Sequence, residues 1–105
     1  MVLNLSFKNI DSSPALKTYT TEKSEKLKKY FHGQIHVTWT FSIESQDRIA
    51  HCHLVGNHMD YFGEAAAQDL YASVDLAIDK IERQLRKHKE IVKDHLHKNG
   101  NRPAE

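Results

Sequence analysis

Cysteine is nearly absent from this 105-residue chain: Cys52 stands alone. A single thiol excludes an intramolecular disulfide and any cysteine-based metal framework, and it fits a reducing compartment. Long apolar runs are missing too, so no segment has the length of a membrane span. The N-terminal MVLNLSFKNI has no basic stretch ahead of a long apolar core and does not read as a signal peptide. Glycine-rich phosphate loops are absent in both common forms. There are only four glycines and two prolines, and neither internal repeats nor low-complexity linkers interrupt the chain. The length suits one domain.

What is present is a segregated charge. The formal net charge is only +1. Residues 1–33 hold six lysines against three acids, a net of +3. Residues 34–79 hold Arg48 against seven acids, a net of −6. Residues 80–98 hold seven lysines and arginines against three acids, a net of +4. Two basic segments around an acidic middle create local fields that attract a polyanion even when the sum is near zero.

Periodicity divides the chain. Val2 to Phe7 alternates as a short strand. Ser13 is placed to cap a helix with Pro14 in its first turn, and apolar residues recur at Leu16, Tyr19, Leu27, Tyr30 and Phe31 until His32-Gly33. From Gln34 to Glu44 the alternation is strict: Ile35, Val37, Trp39, Phe41 and Ile43 share one face of a strand. Ser45-Gln46-Asp47 turns into a strand over Ile49–Val55 with Ala50, Cys52 and Leu54 inward. After Gly56-Asn57-His58, Met59 to Ala65 is a fourth strand. From about Gln68 the period becomes helical, with a stripe at Leu70, Val74, Ala77, Ile78, Ile81, Leu85, His88, Val92 and Leu96, and an expected end near His97. Asn99-Gly100-Asn101-Arg102-Pro103 reads as a breaker cluster. The expected organisation is a domain over 1–97 and a short flexible tail over 98–105.

The order β-α-β-β-β-α, with a right-handed crossover between the first two strands, predicts an α+β two-layer sandwich: a four-stranded sheet with both helices on one face. Trp39, Phe41, Leu54, Leu27, Ile81 and Leu85 should be central in the core.

On the second helix Lys80, Arg83, Lys87 and Lys98 fall on one flank of the apolar stripe, and Arg86, Lys89 and Lys93 on the other. Lys17, Lys23, Lys26, Lys28 and Lys29 ring the first helix. If the helices lie side by side, these rows border a groove in which long cations on a rigid frame meet successive phosphates. The plain alternative is a solvated face with pairs such as Glu22–Lys26 and Glu25–Lys29, and it suffices for any one lysine. Lys23 occupies a position the stripe would fill with an apolar residue, so it should snorkel along the core edge or reach RNA from the rim. His51 and His53 share a strand face, with His36 as a neighbour. Zinc needs further ligands and a second shell, so surface histidines are the expectation, with no metal and no cofactor. His95 and His97 read as complements of the helix dipole. Cys52 points inward, where a thiol is inert. Asp69, Asp75 and Asp79 lack a partner motif, so catalysis is the weaker class. Asp47 and Asp60 are expected in turns away from the groove.

The run Gln68-Asp69-Leu70-Tyr71-Ala72-Ser73-Val74-Asp75 continues into Ile78-Asp79-Lys80-Ile81-Glu82-Arg83-Gln84-Leu85-Arg86-Lys87-His88-Lys89. It resembles the second helix of the ribosome hibernation promoting factor and ribosome-associated inhibitor family. Leu3-Asn4-Leu5, Ala15-Leu16 and Glu25-Lys26-Leu27-Lys28-Lys29-Tyr30-Phe31 resemble that family's first strand and helix, so the likeness spans about residues 1–97. It implies a fold similar to double-stranded-RNA-binding domains, and a monomer that binds the small ribosomal subunit and its rRNA within the 70S ribosome. By that likeness the site would lie over the tRNA and mRNA positions near the decoding centre. Translation would stop by occlusion, not catalysis, in stationary or stressed bacteria. The matched basic positions are Lys26, Lys80, Arg83, Lys87 and Lys89; the face pattern adds Lys23, Lys29 and Arg86. The chain has no room for the dimerisation domain of long members, and few residues follow the helix. The resemblance therefore leans to the hibernation-promoting short form, which pairs ribosomes together with a ribosome modulation factor. The alternatives are an inhibitor-type member holding single ribosomes inactive, or a general RNA-binding domain. A cytoplasmic, ribosome-associated location goes with all of the ribosomal readings.

Overall fold

The computed structural model describes residues 1–56 and 58–101, with side chains described through Lys87. His88, Lys89, Val92, Lys93, His95, Leu96, His97 and Lys98, together with the tail expected after 97, therefore lie outside the described side chains. The elements run β1 (Val2–Phe7), α1 (Pro14–Glu25), a 3-10 turn (Lys26–Tyr30), β2 (His36–Glu44), β3 (Asp47–Gly56), β4 (Met59–Ala67) and α2 (Leu70–Asn101). The sheet order is β1-β2-β3-β4. β1 pairs parallel with β2, and the other neighbours are antiparallel. This is the expected α+β sandwich, and α2 continues past the end expected near His97.

Local chemistry sets the boundaries. The Ser13 hydroxyl accepts from the Leu16 amide at 3.2 Å and caps α1, with Pro14 directly after it. The α-helix was expected to reach Phe31 but ends at Glu25, where the tighter 3-10 turn begins. In that geometry residues three apart eclipse each other. Fully buried Leu27 and half-buried Tyr30 thus share the inner side, while Lys26, Lys28 and Lys29 stay exposed. Gly33 follows at φ +87°, a left-handed conformation that suits glycine. Glu44 pairs with Asp47 across a two-residue turn begun by Ser45 at φ +55°. Asp47 and Asp60, expected in turns, are strand residues: β3 starts two residues early, and Asp60 is the second residue of β4, which begins at Met59 as expected. Strand β4 also extends to Ala67, and Asp69 is the cap of α2: its carboxylate accepts from the Ala72 amide at 2.9 Å.

The core contains all six residues expected at its centre, each fully buried. Ile35, Val37, Trp39 and Phe41 of the alternating segment are fully buried, but Ile43 is 41% exposed. It lies at the hairpin end of the sheet, opposite Arg48, two residues beyond Phe41. Helix α2 lies against β3 and β4 and comes so close at Gly63 that a Cβ there would stand 2.7 Å from the Ala77 carbonyl oxygen. The Ser73 hydroxyl donates to the Arg48 carbonyl and ties the start of α2 to β3.

Burial pushes the Cys52 thiol up to about 12. Its folded value is raised above the usual 9.0, so its contribution to stability is complete below pH 9 and is lost as pH rises towards 12. Two outcomes are expected. Native protein should react with a thiol reagent at pH 8 only at its unfolding rate, and Cys52→Ala should flatten the loss of stability between pH 9 and 12. Rapid native-state labelling would place the thiol at the surface.

Candidate nucleic-acid interface

The helical layer carries the cations, and its geometry follows from where α2 meets its neighbours. Two acids on the flank of α2 that faces α1 reach across the seam. Asp75 accepts from the Tyr19 hydroxyl at 2.7 and 2.9 Å, and Lys23 Nζ lies 3.6 Å from it and 5.2 Å above the Tyr19 ring. Two turns later Glu82 accepts from the Tyr30 hydroxyl at 3.0 Å, with Lys29 Nζ 3.9 Å away. Tyr71 adds an edge-on contact to Tyr19 at 5.0 Å. The seam is thus a ladder of tyrosine, carboxylate and lysine that fixes the spacing of the helices.

This ladder explains the anomaly at Lys23. Its side chain is 28% exposed, snorkelling over an aromatic ring to a carboxylate. The carboxylate of Asp75 raises the lysine's pKa. It also raises that of Tyr19, chiefly through the hydrogen bond, because a phenolate beside a carboxylate is disfavoured. The Tyr19 link is therefore complete below pH 10 and weakens as pH climbs past it.

Among the described residues the basic side chains fall at different places around the helical layer. Lys23 and Lys29 sit at the seam, with Lys26 exposed between them in sequence. Arg86 follows Glu82 by one turn and is exposed on that same flank. Lys80 and Lys87, two turns apart, share the opposite flank by helical period, and Lys80 reaches the outer edge of β4. There Lys80 Nζ donates to the Glu64 carbonyl at 2.6 Å, and Gln84 donates to the Phe62 carbonyl at 2.6 Å. Arg83 is exposed, and by helical period its position falls between the two flanks, opposite the buried stripe. The result is a row of exposed cations over α2, with a second bank of lysines on the 3-10 turn. Periodicity located the residues of this row. The edge-capping role of Lys80 and the ladder acids were not recognised, since only tertiary contacts reveal them. Lys89 lies outside the described side chains.

Among the described residues no three His, Cys, Asp or Glu side chains gather in a metal-binding arrangement. His51 and His53 do share the open face, but His53 Nε2 is directed at Asp60 Oδ1 at 2.7 Å and its ring stacks on Phe62. No described helix is long and apolar enough to cross a membrane.

Weakening one rung of the ladder should release a cation. Asp75→Asn removes the charge that holds Lys23 and keeps an acceptor for Tyr19. We expect affinity for a short labelled RNA fragment to rise about two- to fourfold at low salt, with stability falling by less than about 1 kcal/mol. Titration of the labelled fragment and a thermal melt measure the two effects; weakened RNA binding would mean that Asp75 helps build the interface.

Comparison with known proteins agrees with this architecture. Residues 3–93 match the family described as Sigma 54 modulation protein / S30EA ribosomal protein. The ribosome hibernation promoting factor of Klebsiella oxytoca is 36% identical over 95 residues, 90% of this chain and 100% of that protein. The Thermus thermophilus Protein Y N-terminal domain superposes with a TM-score of 0.77 at 24% identity, covering 84% of this chain and 99% of that one. A ribosomal subunit interface protein from Coxiella burnetii gives 0.76 at 26% identity, covering 86% and 99%. With nine-tenths of its length matched by sequence, the chain belongs to the Sigma 54 modulation protein / S30EA ribosomal protein family, the family of the ribosome hibernation promoting factors.

Proposed function

We propose that this protein binds the small ribosomal subunit over its tRNA and mRNA positions near the decoding centre and silences translation by occupying them. The observation that carries this reading is the one-sided charge: Lys26, Lys29, Lys80, Arg83, Arg86 and Lys87 are all exposed on the helical layer, held by a packed core and an interhelical ladder. Lys23 joins them when a phosphate displaces it from Asp75, and Lys89 continues the sequence pattern beyond the described side chains. Cations held on a packed scaffold can meet successive phosphates of structured RNA, and each lysine or arginine placed on a phosphate adds affinity through counterion release. The mechanism is steric exclusion, and it asks for no cofactor. Its setting is the cytoplasm of resting or stressed bacteria, with ribosome pairing aided by a ribosome modulation factor as the downstream consequence.

Sucrose-gradient co-sedimentation with ribosomes, beside cell-free translation, tests this. The protein should travel with ribosomes and inhibit synthesis. With about six phosphates contacted, log affinity should fall against log salt with a slope of about −4 to −5. Equal binding to any RNA, with no enrichment on ribosomes, would instead favour a general RNA-binding domain.

A further inference from the structure

The sheet has a second face, which carries no helix. Strand parity decides what it presents. Opposite the buried Val37, Trp39 and Phe41 lie His36, Thr38, Thr40 and Glu44; opposite Ala50, Cys52 and Leu54 lie Asp47, His51, His53 and Val55; from β4 come Asp60, Phe62 and Glu64. Every acid of the four strands falls on this face. Their only lysine or arginine, Arg48, has the parity of the helix side. The carboxylates are spread over it, Glu44 and Asp47 at the hairpin end and Asp60 and Glu64 along β4.

Amid them Phe62 is 53% exposed. The His53 ring lies parallel to it at 4.1 Å, and His51 flanks it at 5.5 Å. Asp60 and Glu64 stand two residues to either side on the same strand face, about 7 Å from it. An exposed aromatic ring between two carboxylates is chemistry for a guanidinium or ammonium group, which gains from the ring quadrupole and from the flanking charge. Phosphate is repelled there.

We propose that the open sheet face docks a cationic polypeptide, an arginine- or lysine-rich stretch of a partner protein, while the helical layer faces RNA. Phe62 is the anchor, Glu64 pairs with a cation on one side of it, and Asp60, which already holds His53 Nε2 at 2.7 Å, adds its charge on the other. Lys80 stands at the rim, on the Glu64 carbonyl, and limits the site on that side. A partner of this kind can be held at the same time as a polyanion, because the two surfaces are opposite faces of one sandwich.

The test uses the free protein and two labelled probes: a twelve-residue peptide of alternating arginine and serine, and a twelve-nucleotide single-stranded RNA. Fluorescence anisotropy at low salt should show peptide binding that falls about fivefold in Phe62→Ala and in Phe62→Leu, which keeps the apolar bulk without the ring. It should fall about tenfold in Asp60→Asn/Glu64→Gln. The variant Asp11→Asn/Glu22→Gln makes the same charge change away from this face and should bind the peptide within twofold of wild type. RNA affinity should be unchanged by either Phe62 variant, and thermal melts should show all variants folded. Failure of wild type to bind the peptide, or an equal loss in the Asp11/Glu22 variant, overturns the proposal. So does loss of RNA binding on changing Phe62, which would assign the ring to base stacking. Ribosome binding through the helices is read separately by co-sedimentation, so either reading can fail without the other.

Discussion

Replacing Trp39 by alanine is expected to lower folding stability by about 3–5 kcal/mol, the usual cost of truncating a large buried aromatic. The indole is fully buried at the centre of β2 and lies parallel to the Phe41 ring at a centroid distance of 6.0 Å. It also donates from Nε1 to the Ser24 hydroxyl at 2.9 Å, joining the sheet to α1. The alanine variant loses the packing and leaves a buried hydroxyl without its donor, two costs that act together. A domain of this size has a total stability of about 5–15 kcal/mol, so the variant should lose a large share of it. Trp39→Phe should lose less, because much of the ring volume remains. Urea unfolding measures both; a loss under about 0.5 kcal/mol for Trp39→Ala would contradict the packing described.

Reversing the charge at Arg83 and Lys87 is expected to weaken ribosome binding by two orders of magnitude or more while leaving the melting temperature nearly unchanged. Both side chains are exposed on α2, and neither belongs to the buried stripe of Val74, Ala77, Ile78, Ile81 and Leu85. The change removes two cations and adds two like charges facing phosphate, and each lost phosphate contact also makes the salt dependence shallower by about 0.7–0.9. Surface substitutions of this kind move stability by about 0.5 kcal/mol or less. Reversing Asp47 alone, on the opposite face, is the control. Asp60 is unsuited to that role because it partners His53.

The strands, the helix stripe and the six central core residues were legible because burial on one face imposes a period, and a period is a local property of sequence. Trp39 and Leu54 are examples, each fixed by its alternating neighbours. Ile43 shows where this ends: the pattern assigns it a face, but whether anything covers that face at the hairpin end depends on the reach of the helices. The 3-10 turn was hidden for a related reason, since Leu27 and Tyr30 fit either helical geometry and only packing selects the tighter one. Basic residues could be placed on flanks of α2 by angle alone. Which flank meets α1 depends on Asp75 and Glu82 finding Tyr19 and Tyr30, contacts 56 and 52 residues apart in the chain. The acids of the open face follow from strand parity, whereas the stacking of Phe62 on His53 needs the β3–β4 register.

The most direct test of ribosome silencing by occupation is chemical probing of small-subunit rRNA in ribosomes with and without the protein, repeated with the Arg83/Lys87 reversal variant. The account expects protection of nucleotides around the decoding centre and the tRNA and mRNA positions, lost in the variant and competed away by bound tRNA. Protection confined to a distant surface of the ribosome, or the same footprint from the reversal variant, would contradict it.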